Sequence, residues 1–344
     1  MGDFPPLGRR FELRDSLTLT PDPVLLPGTA SPALFRRIGG LRGRLPGPGQ
    51  TCRILALGGS STECFFLDES KTWPALLERK LNRLCSTDSF WVGNAGYSGA
   101  AAADHLQDLP DYYLRVQELD AVIILVGIND LCRALAAGGS LETEEDNSLL
   151  IDRWQRARHF LWKNSSVYAL AKAVVFRQSL DPDRSSPASG GHYELYRRNR
   201  RKARGYLDRL PARFDYSLAE YENHIGALIR LARKLSLRPI FLTQPTAWDR
   251  QAPGYMKELF WFGWTAGGSS VPDQDYYSVR TLREGMDLFN ESLKRVCLES
   301  GAELYDLAAI QEPDTTMFYD DCHFNNQGAR KAADFTTAHF LGIE

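Results

Sequence analysis

Four short strings in this 344-residue chain carry side chains that could act on one another: GGSST at 58–62, NAGYSG at 94–99, GIND at 127–130 and DDCHF at 320–324. A serine hydroxyl is a weak nucleophile until a base takes its proton, and a histidine oriented by a carboxylate is a common base for that step. The first string offers Ser60 or Ser61. The last offers His323, with Asp320 three residues before it and Asp321 next to that; on a turn, such a carboxylate can accept from Nδ1–H and leave Nε2 facing a hydroxyl. Gly99, lacking a Cβ, lets its backbone N–H approach a ligand closely, and Asn129 brings an amide N–H that needs no titration. With the N–H of the serine itself, these are three donors for a developing oxyanion. Each string alone is weak: a tight turn, an Asx turn or a surface carboxylate–histidine pair would read the same way.

The elements that must position these residues can be read from hydrophobic patterning. RILALGG (53–59), SFWVGNAG (89–96) and DAVIILVG (120–127) are short apolar runs ending in glycine, and RPIFLTQP (238–245) and AELYDLA (302–308) repeat the pattern. Runs of this kind are strands of a parallel sheet buried on both faces. Helical periodicity fills the intervals at 72–84, 102–116, 217–235 and 278–300, and a last helix over 326–341 follows Asn325, an N-cap residue type. Alternation of strand and helix predicts a three-layer α/β sandwich of the flavodoxin-like kind, with five parallel strands and right-handed crossovers. The serine, Gly99 and Asn129 then fall just after the first three strands, at their carboxyl ends, where open α/β sheets bind ligands.

Three regions lie outside this alternation. Residues 1–50 are rich in proline and glycine without sustained period and read as an extended arm laid on the domain. Within the domain at 51–344, an insertion at about 131–214 contains a helical stretch over 152–176 and the basic run RRNRRKAR at 197–204, whose six cations read as a solvated helix face. A second insertion at 246–278 is aromatic and glycine-rich and emerges from the end of the fourth strand, which makes it the expected lid or substrate wall. Gln244, at the end of the fourth strand, and Trp248 and Trp261, within this insertion, are the expected substrate contacts.

Bulk properties narrow the function classes. Forty-one Lys and Arg against 43 Asp and Glu give a formal charge of −2, no global pull toward nucleic acid or an anionic membrane. Six cysteines without CxxC or histidine spacing argue against a zinc site or a disulfide scaffold, and no metal or organic cofactor is expected. The HYE at 192–194 lacks the PCxxC of a deaminase site, and GGSST lacks the GK[ST] ending of a phosphate-binding loop. The N-terminus shows no apolar core of a signal peptide, and no run of about 18 apolar residues suggests a membrane span. Compartment and oligomeric state stay open.

The four strings in this order resemble the SGNH, or GDSL-type, hydrolase family, and TECFFLDESKTWP, FLTQPTAW and FYDDCHF look like a bacterial branch of it. The resemblance covers about residues 53–341, apart from the two insertions. It implies Ser60 as nucleophile, His323 as base and Asp320 as its orienting carboxylate, with an oxyanion hole from the Ser60 and Gly99 backbone N–H groups and the Asn129 amide. It also implies hydrolysis of a small-molecule or carbohydrate ester through an acyl-enzyme. The same parts could pass the acyl group to an alcohol, as an acyltransferase, or survive in a non-catalytic glycan-binding module. The chain departs from the family at Gly59, where an aspartate is usual.

Overall fold

In the computed structural model, residues 15–138, 189–265 and 268–343 are described. The five apolar runs form strands β4 (Cys52–Gly58), β5 (Phe90–Asn94), β6 (Ala121–Leu125), β8 (Arg238–Leu242) and β10 (Glu303–Tyr305). They lie side by side in the order β5-β4-β6-β8-β10, all parallel. Every residue of β6 is buried, as a strand covered on both faces requires. The order places the first strand between the second and the third, so crossovers leave β4 to both sides and a crevice opens at its carboxyl end.

Among the described residues the sheet has eight strands, the five parallel ones expected and three more from the arm. The arm contributes β1 (Asp15–Leu19), β2 (Ala33–Ile38) and β3 (Leu41–Arg42), which join antiparallel at the β5 edge, with Arg42 opposite Asn94. A proline-rich segment without a helical period can still pair short strands on an open edge, because edge pairing needs backbone groups rather than a residue pattern. A separate pair, β7 (Tyr206–Leu207) with β9 (Tyr276–Tyr277), links the two insertions.

The helices begin and end where capping residues permit. After the single turn α1 (Ser60–Glu63), α2 (Trp73–Leu84) starts at Thr72, whose hydroxyl accepts from the Ala75 N–H, and buries Trp73, Leu77 and Leu81 on one stripe. Then come α3 (Ala102–Arg115), α4 (Ile128–Gly138), α5 (His192–Arg201), α6 (Phe214–Lys234) and the short α7 (Gly254–Lys257). Helix α8 (Val279–Ser300) is capped by Ser278 and stops at the left-handed Gly301; α9 (Asn326–Leu341) is capped by the Asn325 side chain, which accepts from Gln327 and Gly328 N–H, and stops at Gly342. Helix α2 packs on α9, while α3, α4 and α8 pack on α6, so the two groups cover the two faces of the sheet. Among the described residues no helix is long and apolar enough to cross a membrane. The helical stretch expected over 152–176 lies outside the described residues.

The basic run in α5 differs from expectation. Arg197 and Arg200 are buried, and their guanidinium groups serve as carbonyl clamps: Arg197 donates to Leu25, Leu259 and Tyr319, and Arg200 to Phe262 and Tyr277. A planar cation with five donors can hold carbonyls that no sheet or helix partners. The segment therefore ties the arm and the second insertion to the loop that carries His323.

Candidate active site

The serine turn is built by backbone. Strand β4 ends at Gly58, and the Gly59 carbonyl accepts from the Thr62 and Glu63 N–H groups (3.0 Å each) to close α1 at once. A Cβ on residue 59 would lie 2.4 Å from Asn129 Nδ2 and 3.2 Å from the Ala100 carbonyl. A side chain at 59, such as the aspartate usual in the family the sequence resembles, would push the Asn129 amide aside, and glycine lets Asn129 close over the turn. The Asn129 amide donates to the Ala100 carbonyl at 2.8 Å, which draws the loop containing Gly99 against the start of α4. Gly99 itself has a φ of +84° and open space around its Cα, a backbone conformation that favours glycine.

The imidazole arrives from far along the chain. Between β10 and α9 a loop runs back across the sheet ends and is pinched into a hairpin: Phe318 bridges Phe324, the Tyr319 N–H donates to the His323 carbonyl and the Asn325 N–H to the Met317 carbonyl. His323 Nε2 lies 2.7 Å from Ser60 Oγ, and its Nδ1 lies 2.6 Å from Asp320 Oδ2. In the tautomer that Asp320 favours, Nδ1–H donates to the carboxylate and Ser60 Oγ–H donates to Nε2. Asp320 Oδ1 also accepts from the backbone N–H groups of Cys322 (3.1 Å) and His323 (2.9 Å).

Both neighbouring alternatives point elsewhere. Ser61 is buried and its hydroxyl donates to the Cys322 carbonyl at 3.4 Å. Asp321 accepts from Trp248 Nε1 (2.7 Å) and from the Trp261 and Phe262 N–H groups (2.7 and 3.3 Å), so it anchors the second insertion rather than the imidazole.

Two expected substrate contacts are corrected. Trp248 is fully buried with its indole N–H on Asp321, and Gln244 is buried with its amide donating to the Pro245 carbonyl; neither offers surface to a ligand. Trp261 is half-buried beside the imidazole, and its indole N–H donates to Asp320 Oδ2 at 2.9 Å. Its ring lies nearly parallel to that of His323 at 6.3 Å, and Tyr319 lies nearly parallel at 5.5 Å; Tyr193 meets the imidazole edge-on. No local signal marks the Trp261–Asp320 contact, because 59 residues separate the partners.

Burial sets the electrostatics. Desolvation alone would lower the His323 pKa, but the charge of Asp320 and the hydrogen bond to it, with Asp321 and Glu63 behind, outweigh burial and hold it above the ordinary histidine value. Burial pushes the Asp320 carboxyl up, yet the charge of His323 and donation by His323 and Trp261 hold it below the ordinary value. Asp321, buried and next to the Asp320 charge, is pushed up to about 6. Among the described residues, Asp320, Cys322 and His323 place potential metal ligand atoms within 4.8 Å of one another. Asp320 and His323 are committed to each other there, and burial holds the Cys322 thiol well above its ordinary pKa, which disfavours the thiolate a metal would need.

A serine, an imidazole and a carboxylate thus lie in one hydrogen-bonded line beyond the carboxyl end of a parallel α/β sheet, an arrangement that can activate a hydroxyl for attack. The chain matches the GDSL-like lipase/acylhydrolase family over residues 56–331 and belongs to it. It is thus an enzyme of the esterase type. No curated protein matches it in sequence. Among solved structures it is similar to LAE5, an alpha/beta hydrolase from the metagenome of Lake Arreo, Spain, at 15% identity and a TM-score of 0.47, covering 86% of this chain and 98% of that one. It is likewise similar to Axe2, an acetylxylan esterase from Geobacillus stearothermophilus, at 16% identity and a TM-score of 0.47, covering 86% and 96%.

Proposed function

We propose that this chain hydrolyses an O-acyl ester through an acyl-enzyme on Ser60. His323 takes the Ser60 proton as Oγ attacks the ester carbonyl, Asp320 stabilises the imidazolium, and the tetrahedral oxyanion is met by the Ser60 and Gly99 N–H groups and the Asn129 amide. One such donor is typically worth about 3–4 kcal/mol of barrier. The imidazolium then protonates the leaving alcohol, and water attacks the acyl-enzyme with His323 again as base. The observation that carries this reading is the line Ser60 Oγ, His323 Nε2, His323 Nδ1, Asp320 Oδ2, with contacts of 2.7 and 2.6 Å.

For the alcohol moiety we propose a carbohydrate. Tyr196, Trp261 and Trp264 are half-buried, with Trp261 and Trp264 stacked at 5.8 Å and Tyr196 at 5.2 Å from Trp261, so an aromatic surface adjoins the imidazole. Aromatic faces suit the apolar faces of sugar rings as well as acyl chains. The test is turnover of p-nitrophenyl acetate and of acetylated oligosaccharides, together with labelling by a fluorophosphonate. Label on Ser60 and free acetate as product are expected. Label elsewhere, or none, would end the assignment, and acetate transferred to added glycan instead of water would make the enzyme an acyltransferase.

A further inference from the structure

The serine turn and the Gly99 loop are held together by residues the reaction does not use. Glu63, the last residue of α1, is buried. One of its carboxylate oxygens accepts from the Ser98 hydroxyl at 2.6 Å and the other from Arg37 Nη2 at 2.8 Å. Arg37 belongs to β2 of the arm, and the same nitrogen donates to the Gly96 carbonyl at 3.0 Å. Gly96 and Ser98 sit in the loop that presents Gly99. The other face of the turn is gripped by Arg42 from β3, buried, which donates to the carbonyls of Glu63, Cys64 and Leu67 just past α1.

We propose that Arg37, Glu63 and Ser98 are positioning residues through which the N-terminal arm fixes the distance between the Ser60 turn and the Gly99 loop. The inference rests on the esterase reading above. Its physical basis is that α1 has only four residues and the Gly99 loop has no regular structure, so side chains hold both. Asn94 joins the Thr62 carbonyl to the Gly96 N–H, Asn129 and Arg133 hold the Ala100 and Gly99 carbonyls, and the Glu63 carboxylate adds the tie that reaches the arm. An oxyanion donor works only within a few tenths of an ångström of the position where charge develops. A carboxylate bonded at once by an arm guanidinium and a loop hydroxyl supplies that constraint, and its two charge-assisted bonds are short and directional. The arm is then part of the active-site framework rather than a covering strap.

The test uses the full chain and steady-state kinetics on p-nitrophenyl acetate. Ser98 is exposed, so Ser98→Ala folds normally while cutting the loop from Glu63. A loop donor displaced by a fraction of an ångström should lower kcat about tenfold with KM changed less than about twofold. Ser98→Thr, which keeps the hydroxyl, should restore most of kcat. Arg37→Gln, which loses the bonds to Glu63 and to the Gly96 carbonyl, should lower kcat similarly, and the Ser98→Ala/Arg37→Gln double variant should lose little more than either single one, because both residues tie the same loop to the same turn. Unchanged kcat in Ser98→Ala, failure of threonine to rescue, or losses that multiply in the double variant would overturn the proposal. Ser60→Ala separates the two readings: if it retains turnover the esterase assignment itself falls, whereas its inactivity beside a fully active Ser98→Ala sinks only the positioning role.

Discussion

The two sides of the site are held by different physics. The serine side is a short turn closed by its own backbone and gripped from outside by charged groups of the arm, with Ser98 and Gly99 open to solvent. The imidazole side is a hairpin from the far end of the chain, boxed by Tyr193, Tyr319, Trp261 and Phe262, with Asp320 entirely out of solvent. The difference follows from what each must do. Under the proposed mechanism the nucleophile has to meet substrate and so cannot be buried, while the carboxylate behind the base gains from exclusion of water, which would compete for its hydrogen bond.

The largest effect expected is on the exposed side. Ser60→Ala should lower kcat by about 10⁵ to 10⁶ with an unchanged thermal transition, since it removes the reacting atom and nothing the core depends on. Activity within tenfold of wild type would break the comparison at its root.

On the buried side Asp320→Asn should cost about 10⁴ in kcat, because an amide at that place can no longer select the Nδ1–H tautomer or stabilise the imidazolium. The pH profile sharpens the point. The proposed mechanism requires neutral His323, whose pKa is raised, so kcat/KM should fall with decreasing pH through a value above the ordinary histidine range. Removing the Asp320 charge leaves burial in command, and the acid limb should move to lower pH. A limb that stays in place would mean Asp320 is not the group that sets it.

The adjacent carboxylate is a control of opposite kind. Asp321→Asn leaves one oxygen to meet three N–H donors and turns an NH₂ toward them, a loss of about 1–3 kcal/mol of stability measured by denaturant unfolding, with kcat of the folded enzyme far less affected than in Asp320→Asn. Trp261→Phe keeps the ring beside the imidazole but deletes the donor to Asp320, and should cost about 1–2 kcal/mol of stability. The smallest effect is expected from Ser61→Ala: its long hydrogen bond to the Cys322 carbonyl is worth under about 1 kcal/mol, and turnover should be close to wild type. A severe loss there would mean that Ser61, not Ser60, is the nucleophile.

Much of this was legible in residue order. The five parallel strands and helices α2, α3, α6, α8 and α9 fall within a few residues of their expected positions, because burial on both faces of a strand and on one stripe of a helix imposes a period that survives in the sequence. Ser60, Gly99 and Asn129 stood out as candidates because each lies within a few residues of the carboxyl end of such a strand. The arm's three strands did not, since they are short and the burial alternation, as at Ala33 and Phe35, lasts only a few residues. Trp248 and Gln244 were misread for a related reason: a tryptophan in a long loop has the same letter whether it lines a cleft or, like Trp248, donates to a buried carboxylate.

What the sequence determined by itself is the set of candidate reacting groups and the strand ends that carry most of them, for both depend on residue type and local period. Which of two adjacent serines meets the imidazole, which of two adjacent aspartates orients it, and which arginines clamp carbonyls rather than face water were decided only by the tertiary structure. Adjacent residues on a turn differ in side-chain direction and not in pattern, and that direction is set by partners such as Cys322, Trp248 and Trp261, which the fold alone brings into contact with them.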